Sequence, residues 1–329
     1  MTQAPVLVVV DHHDGAPSVP STEVLTLARR LAGGAGVEAV WLGAEAPGEP
    51  ARAELARFGA RVVHVPDLEG LSAQVAAVAA EAVLAVALPA APAAILLVST
   101  FAGKEVAARL AVGLGSGAVV DAVGVDVAAD GTLAARKSVF AGTWETACAV
   151  TRGVPVIALK PTSVEAEPTA DAGAAEVRPL AVAFSPTARA VRVLERTAHA
   201  SGGRVPLSEA KTVVVGGRGT DGDFSGVEEL ADLLGAAVGA TRVATDEGWI
   251  EHSAQVGQTG VTISPRLYIG IGVSGAVHHT AGMQASQTIV AVNSDPEAPI
   301  FEMADFGVVG DIEDVLPQAI AELKRLRQA

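Results

Sequence analysis

The chain has little of several things that would narrow its function at once. Among 329 residues there is one cysteine, Cys148. A disulfide within the chain and a cysteine-based metal cluster are both excluded. Cys148 reads as a small buried apolar residue rather than a reactive thiol. Aromatics make up only 3%, with a single tyrosine, too few for an aromatic-rich β-sandwich. Positive charge is also short. The formal net charge is −14, which argues against nucleic acid or an anionic membrane as the main partner, since both select a basic surface. The longest Ala/Val-rich tract, residues 73–97, is broken by Glu81, Pro89 and Pro92, so no membrane insertion is expected. The N-terminal MTQAPVLVVVD lacks a basic leader segment and reads as a first β-strand. A cytoplasmic location is expected.

What remains is rich in Ala, Val, Leu and Gly, half of it apolar, and long enough for two domains. PVLVVVD (5–11), VEAVWLG (37–43), RVVHVPD (61–67) and AAILLVS (93–99) are short apolar runs suited to parallel strands covered on both faces. Helices are expected at 21–31, 51–58, 71–88 and 104–114. TLAARKSVF, VPVIALKP and VRPLAVAF read as further strands, and 161–177 as a long polar loop. A linker is expected at 201–209, and a second α/β unit opens at KTVVVGGRG (211–219). In it a helix is expected from Gly226 to Val238, started by a capping box at Ser225 and Glu228. Strands RLYIGIGV (266–273), TIVAVN (288–293) and FGVVGD (306–311) and a closing helix follow. The fold class is therefore α/β, with two doubly wound, Rossmann-like domains covering 1–205 and 206–329.

Polar residues and glycines collect where the second unit's strands end, the edge at which open α/β sheets bind ligands. GGRGTDG (216–222) suits a phosphate-approaching turn, with Arg218 as a forked donor, although a purely structural turn accounts for it equally. It reads as neither a dinucleotide fingerprint nor a P-loop, the latter because no Gly-Lys-Ser/Thr follows. VGQTG (256–260) offers Gln258 and Thr259, and Arg242 is suited either to the surface or to stacking on a flat conjugated ring. Asn293, Asp295 and Asp311 lie on the same edge, with capping the bland role for Asp311. GVSGAVHHTAGM (272–283) carries adjacent histidines. Neighbouring helical residues diverge by about 100°, and no third ligand is suitably spaced, so a zinc site is not expected. A neutral histidine acting as a donor is the sharper reading, and one packed and one solvated histidine the plainer one.

Taken together and in order, VVVGGRG, GATR, AQVGQTG, LYIGIGVSGAVHHTAGM, IVAVNSDPEAPIF and ADFGVVGD resemble the alpha subunit of electron-transferring flavoproteins (ETF). TFAGKEVAARLAVGLGSGAVVDA (100–122) looks like that family's N-terminal domain. The resemblance implies FAD, bound in extended form by the C-terminal domain, and a heterodimer with the ETF beta subunit. It implies electron transfer from flavin dehydrogenases, such as acyl-CoA dehydrogenases of fatty acid oxidation, to a membrane quinone oxidoreductase, without substrate turnover by the chain itself. It also implies a flavin domain that swivels on its linker. By resemblance, Arg218 contacts the diphosphate, Thr241 stands where serine is commoner, and Arg242 lies against the isoalloxazine. Val256, Gly257, Gln258 and Thr259 form the flavin loop, with Thr259 close to N5. Ser274, Gly275, Ala276 and Val277 wrap the ribityl-diphosphate, and His279 donates to O2. Asn293, Asp311 and Ile312 approach the adenosine. His278 is expected to face solvent, and His12 and His13 to be exposed loop residues. The competing classes are an NAD(P)-dependent oxidoreductase and a structural or signalling α/β module that binds adenosine phosphates.

Overall fold

A computed structural model describes residues 4–140, 144–170, 173–195 and 203–328. The chain divides into two compact units, 1–139 with 145–197, and 140–144 with 198–329. Ser201 and Gly202 of the expected linker lie outside the described residues.

In the first unit β1 (Val6–Val10) leads through a small hairpin, β2 (His12–His13) and β3 (Ala16–Pro17), to α1 (Val19–Ala32). β4 (Val37–Trp41), α2 (Glu49–Arg57), β5 (Ala60–Asp67), α3 (Ala76–Ala90), β6 (Ala94–Val98) and α4 (Phe101–Gly113) continue the alternation. β7 (Ala118–Ala122), β8 (Gly124–Val127), β9 (Leu133–Val139), β10 (Trp144–Ala149), β11 (Val156–Leu159), β12 (Glu176–Ala181) and the short α5 (Pro186–Arg189) follow. Seven strands form one parallel sheet in the order β12-β5-β4-β1-β6-β11-β7. β10, β9 and β8 form a separate sheet, in which β8 and β9 are antiparallel. β7 and β8 occupy a stretch to which the sequence reading assigns no strand.

Alternate residues of β1 serve opposite cores. Val6, Val8 and Val10 pack with α1 residues, while Leu7 and Val9 pack with α3 and α4. That two-sided burial is why the strand reads as an unbroken apolar run. Among its described residues the 161–177 segment has no strand until Glu176, and side chains pin it. Thr162 N–H donates to Glu23, Glu167 N–H to Thr26 Oγ1, and Thr169 to the Arg57 carbonyl. His12 departs from expectation. It stacks on Trp41 at 3.8 Å with the rings 6° from parallel, and burial lowers its pKa. His13 is exposed.

The second unit comprises β13 (Thr212–Gly216), α6 (Ser225–Leu234), β14 (Ala237–Ala240), α7 (Arg242–Asp246) and β15 (Leu267–Ile271), then α8 (Val277–Met283), β16 (Thr288–Asn293), β17 (Phe306–Val309) and α9 (Ile312–Gln328). Five parallel strands run β14-β13-β15-β16-β17. The order reverses between β13 and β15, which makes their carboxyl ends the crevice of a doubly wound sheet. Val213 and Val215 face one core and Val214 the other.

Two local expectations fail here. The helix read as 226–238 ends at Leu234, because Gly235 adopts φ 60° as a left-handed cap. Residues 237–240 then turn into the edge strand β14. The capping box is also absent: Ser225 is the first helical residue, its N–H is taken by Asp223 Oδ1, and the cap residue Phe224 makes no side-chain bond. Gly235→Ala is expected to cost about 1 kcal/mol, since a Cβ penalises the left-handed conformation. Chemical denaturation of the full chain measures it.

Candidate functional site

The carboxyl ends of the five strands of the second unit deliver the residues singled out above. Arg218 follows β13, and Thr241 and Arg242 follow β14. Ser274 to Val277 follow β15, Asn293 ends β16, and Asp311 and Ile312 follow β17. Only the 256–259 loop arrives otherwise. It is drawn to the sheet by an isolated bridge between Ala240 and Gln255.

Close approach of backbone to backbone holds this edge together. A Cβ on Gly217 would lie 2.3 Å from the Gly272 carbonyl oxygen, and one on Gly282 2.4 Å from the Gly257 Cα. The N–H of Gly217 donates to Ile271 and that of Gly219 to Gly272. The glycine turn after β13 therefore spends these donors on the neighbouring strand, which favours its structural reading. Gly217, Gly219 and Gly222 do stand at G-x-G-x-x-G spacing, so spacing alone does not set this loop apart from a dinucleotide fingerprint. What separates them is that α6 begins only at Ser225, beyond the third glycine. Arg218 extends exposed from this turn.

The two histidines are unequal. His279 is 5% exposed. Its Nδ1 lies 2.9 Å from the Val256 carbonyl and its Nε2 2.8 Å from the hydroxyl of Tyr268. A carbonyl only accepts, so Nδ1 carries the proton, and Nε2 accepts from Tyr268. Tyr268 is fully buried, and a buried phenol needs such a partner. Desolvation lowers the His279 pKa to about 4, which keeps the ring neutral. The expected donation to a flavin oxygen is not available in this arrangement, because the ring's one proton is already committed. His278 is exposed but engaged: its Nδ1 lies 2.9 Å from Gln258 Oε1, and its carbonyl accepts the Gln258 N–H at 2.7 Å. It thereby leaves the Gln258 amide NH₂ directed away.

Arg242 is exposed, and its Nε contacts Asp246 at 3.1 Å. Exposed pairs of this kind contribute little and exchange readily. Thr259 Oγ1 accepts from buried Gln255. Asn293 is more occupied than expected, its Nδ2 donating to the Val273 carbonyl while its Oδ1 accepts the Asp295 N–H. Asp311 accepts the Glu313 N–H and caps α9, and Ile312 packs into the core. Sequence reasoning missed Tyr268 and Gln255. The one signal for them was placement, a lone tyrosine and a glutamine beside the loop.

An extended, partly anionic cofactor fits this edge on two observations. Thr241 Oγ1 is buried and has no hydrogen-bond partner. Along the same edge Arg242, Gln258, Thr259, Ser274 and Val277 are exposed, Val277 to 78% although apolar. Among the described residues, no group of His, Cys, Asp and Glu could hold a metal ion.

Above pH 6.5 His279 is neutral both in the folded chain and when unfolded. Between 6.5 and about 4 only the unfolded chain binds the proton. Stability therefore falls as pH drops through that window, by up to about 3 kcal/mol at its foot. Urea midpoints measured across it should fall more steeply for the native chain than for His279→Gln; equal slopes would contradict the burial.

Two family models match the chain. The electron transfer flavoprotein FAD-binding domain covers residues 206–284, and the electron transfer flavoprotein domain covers 6–185. Relatives named electron transfer flavoprotein subunit alpha share 43% identity over 326 residues in Mycobacterium leprae and 32% over 324 in Bacillus subtilis, with 98% of both chains covered in each case. Protein FixB of Clostridium saccharobutylicum is 34% identical over 98% of this chain and 97% of its own. With the edge of the second sheet built as described and both domains matched in order, the chain belongs to the electron transfer flavoprotein alpha-subunit family, and its C-terminal unit carries that family's FAD-binding domain.

Proposed function

We propose that the chain is one half of a heterodimeric electron carrier, paired with an ETF beta subunit. It takes electrons from flavin dehydrogenases such as acyl-CoA dehydrogenases and passes them to a membrane quinone oxidoreductase, converting no substrate of its own. Its place of work in this reading is the cytoplasm. Among the described residues, no helix is long and apolar enough to cross a membrane.

The observation that carries the reading is the row of exposed polar groups on the strand-end edge that also holds the unpartnered Thr241 hydroxyl. FAD supplies the redox chemistry, its ring system accepting and releasing electrons one or two at a time. The chain's own residues bind and tune. Arg242 can leave the weak pair with Asp246 and set its cation against the ring, favouring negative charge there. Gln258 and Thr259 offer hydrogen bonds to the ring edge. Ser274 to Val277 receive the ribityl-diphosphate, and Arg218 its charge. Thr241 gains a partner for a hydroxyl that otherwise has none. Asn293, Asp311 and Ile312 border the adenosine end through their backbone and remaining polar capacity. His279 serves as the holder of Val256 and Tyr268, since donating outward from Nε2 would require a second ring proton that its low pKa opposes.

Co-expressed with its beta subunit, the chain is expected to purify yellow, with FAD released on denaturation and no turnover of NAD(P)H by the pair alone. A colourless pair, or sustained NAD(P)H oxidation without another protein, would overturn the proposal. Arg242→Ala is expected to lower the FAD potential by the equivalent of about a tenfold change in the reduction equilibrium. An unchanged value in a dye-equilibrated titration would remove Arg242 from the flavin.

A further inference from the structure

Gln255 is 2% exposed, and its amide spans two hydroxyls. Its Nε2 donates to Thr259 Oγ1 at 2.9 Å, and its Oε1 accepts from Thr245 Oγ1 at 3.1 Å. Thr245 lies on α7, one turn after Arg242, and its single hydroxyl proton is shared between Gln255 Oε1 and the Arg242 carbonyl, the latter at 2.9 Å. A buried amide is costly unless both of its ends are satisfied, and here both are satisfied by side chains bordering the exposed edge. The amide is directional: one end only donates and the other only accepts. With Nε2 donating into the Thr259 oxygen, the Thr259 proton cannot point back towards Gln255. Thr259 is exposed while Gln255 is buried, so that proton is directed outward, away from the core.

We infer that Gln255 is a positioning residue that makes Thr259 an outward hydrogen-bond donor, with Thr245 holding the other end of the amide. The inference rests on the reading in which Thr259 borders the flavin ring, and it extends that reading to a residue that touches no cofactor. It also couples the two sides of the site, because the same relay anchors the first turn of the helix that carries Arg242. Outer groups of this kind commonly fix the orientation and polarity of the residues in contact.

The test uses the assembled complex of full chain, beta subunit and FAD. Gln255→Met keeps the volume but removes both amide ends. Thr245→Val removes the anchor, together with its bond to the Arg242 carbonyl, and leaves Thr259 and Gln255 in place. Each is made alone and in a Thr259→Val background, and the potential for the first electron is measured. Gln255→Met is expected to lower it by about a tenfold change in the equilibrium, about 59 mV for a one-electron couple. Thr245→Val is expected to lower it less. The Gln255→Met shift should vanish in the Thr259→Val background, a result that loss of packing alone would not produce, and the Thr245→Val shift should shrink to what its bond to the Arg242 carbonyl contributes. Should Gln255→Met fail to assemble, Thr245→Val carries the cycle. Unchanged potentials in the single variants, or shifts that persist in full beside Thr259→Val, would overturn the relay. No effect from Thr259→Val alone would instead overturn the placement of Thr259 at the flavin, and this inference with it.

Discussion

A tyrosine hydroxyl buried in an apolar core must find a hydrogen-bond partner there, and much of the second unit is arranged around that need. Tyr268 lies in the middle of the sheet with no exposure. Its partner, His279, passes the constraint on to the Val256 carbonyl. One chain of two hydrogen bonds thus ties the sheet interior to α8 and to the loop that carries Gln258 and Thr259. The ring stays neutral because a proton added in that setting would be poorly solvated. The loop is therefore tied to the core while its outer residues remain exposed.

That link could not form if side chains kept the segments apart. Gly282 and Gly257 bring the backbones of α8 and the loop into contact, and Gly217, Gly219 and Gly272 do the same where the strand order reverses. The glycines serve protein–protein closeness first, and what they leave open is the outer face of the edge. Polar side chains there are of two kinds. Asn293 and Asp311 are largely spent on local backbone groups. Arg218, Gln258, Thr259 and Ser274 are exposed, and Thr241 holds a buried hydroxyl without a partner. An electron carrier needs this division, because its cofactor must be gripped firmly enough to keep its potential while the ring edge stays reachable. The exposed arginines stand out in a chain of net charge −14.

Much of this was legible in the residues. Apolar runs of four to six residues announced parallel strands because both faces are covered, and the glycine and polar clusters marked the strand ends. The edge strand β14 was not legible: AVGA is too short to show a period, and its neighbour helix ran into it without a break other than Gly235. Nor did Ser225 and Glu228 reveal that the true helix start lay beyond Asp223, since the same letters serve as a cap or as a first turn. The HH pair divides into one packed and one exposed histidine. His278, expected to face solvent, does so and also orients Gln258, while His279, expected to donate outward, is held from within.

The sequence by itself determined the class of fold, the alternation of its main strands and helices and the edge on which polar chemistry collects. Those depend on local periodicity and composition, which a chain carries wherever it folds. Only the tertiary structure decided which donor is spent and which is available. Tyr268 meets His279 across eleven residues, Gln255 meets Thr245 across ten, and Gln258 meets His278 across twenty. A hydrogen bond commits one proton to one acceptor, and that commitment exists only once the partners have been brought together.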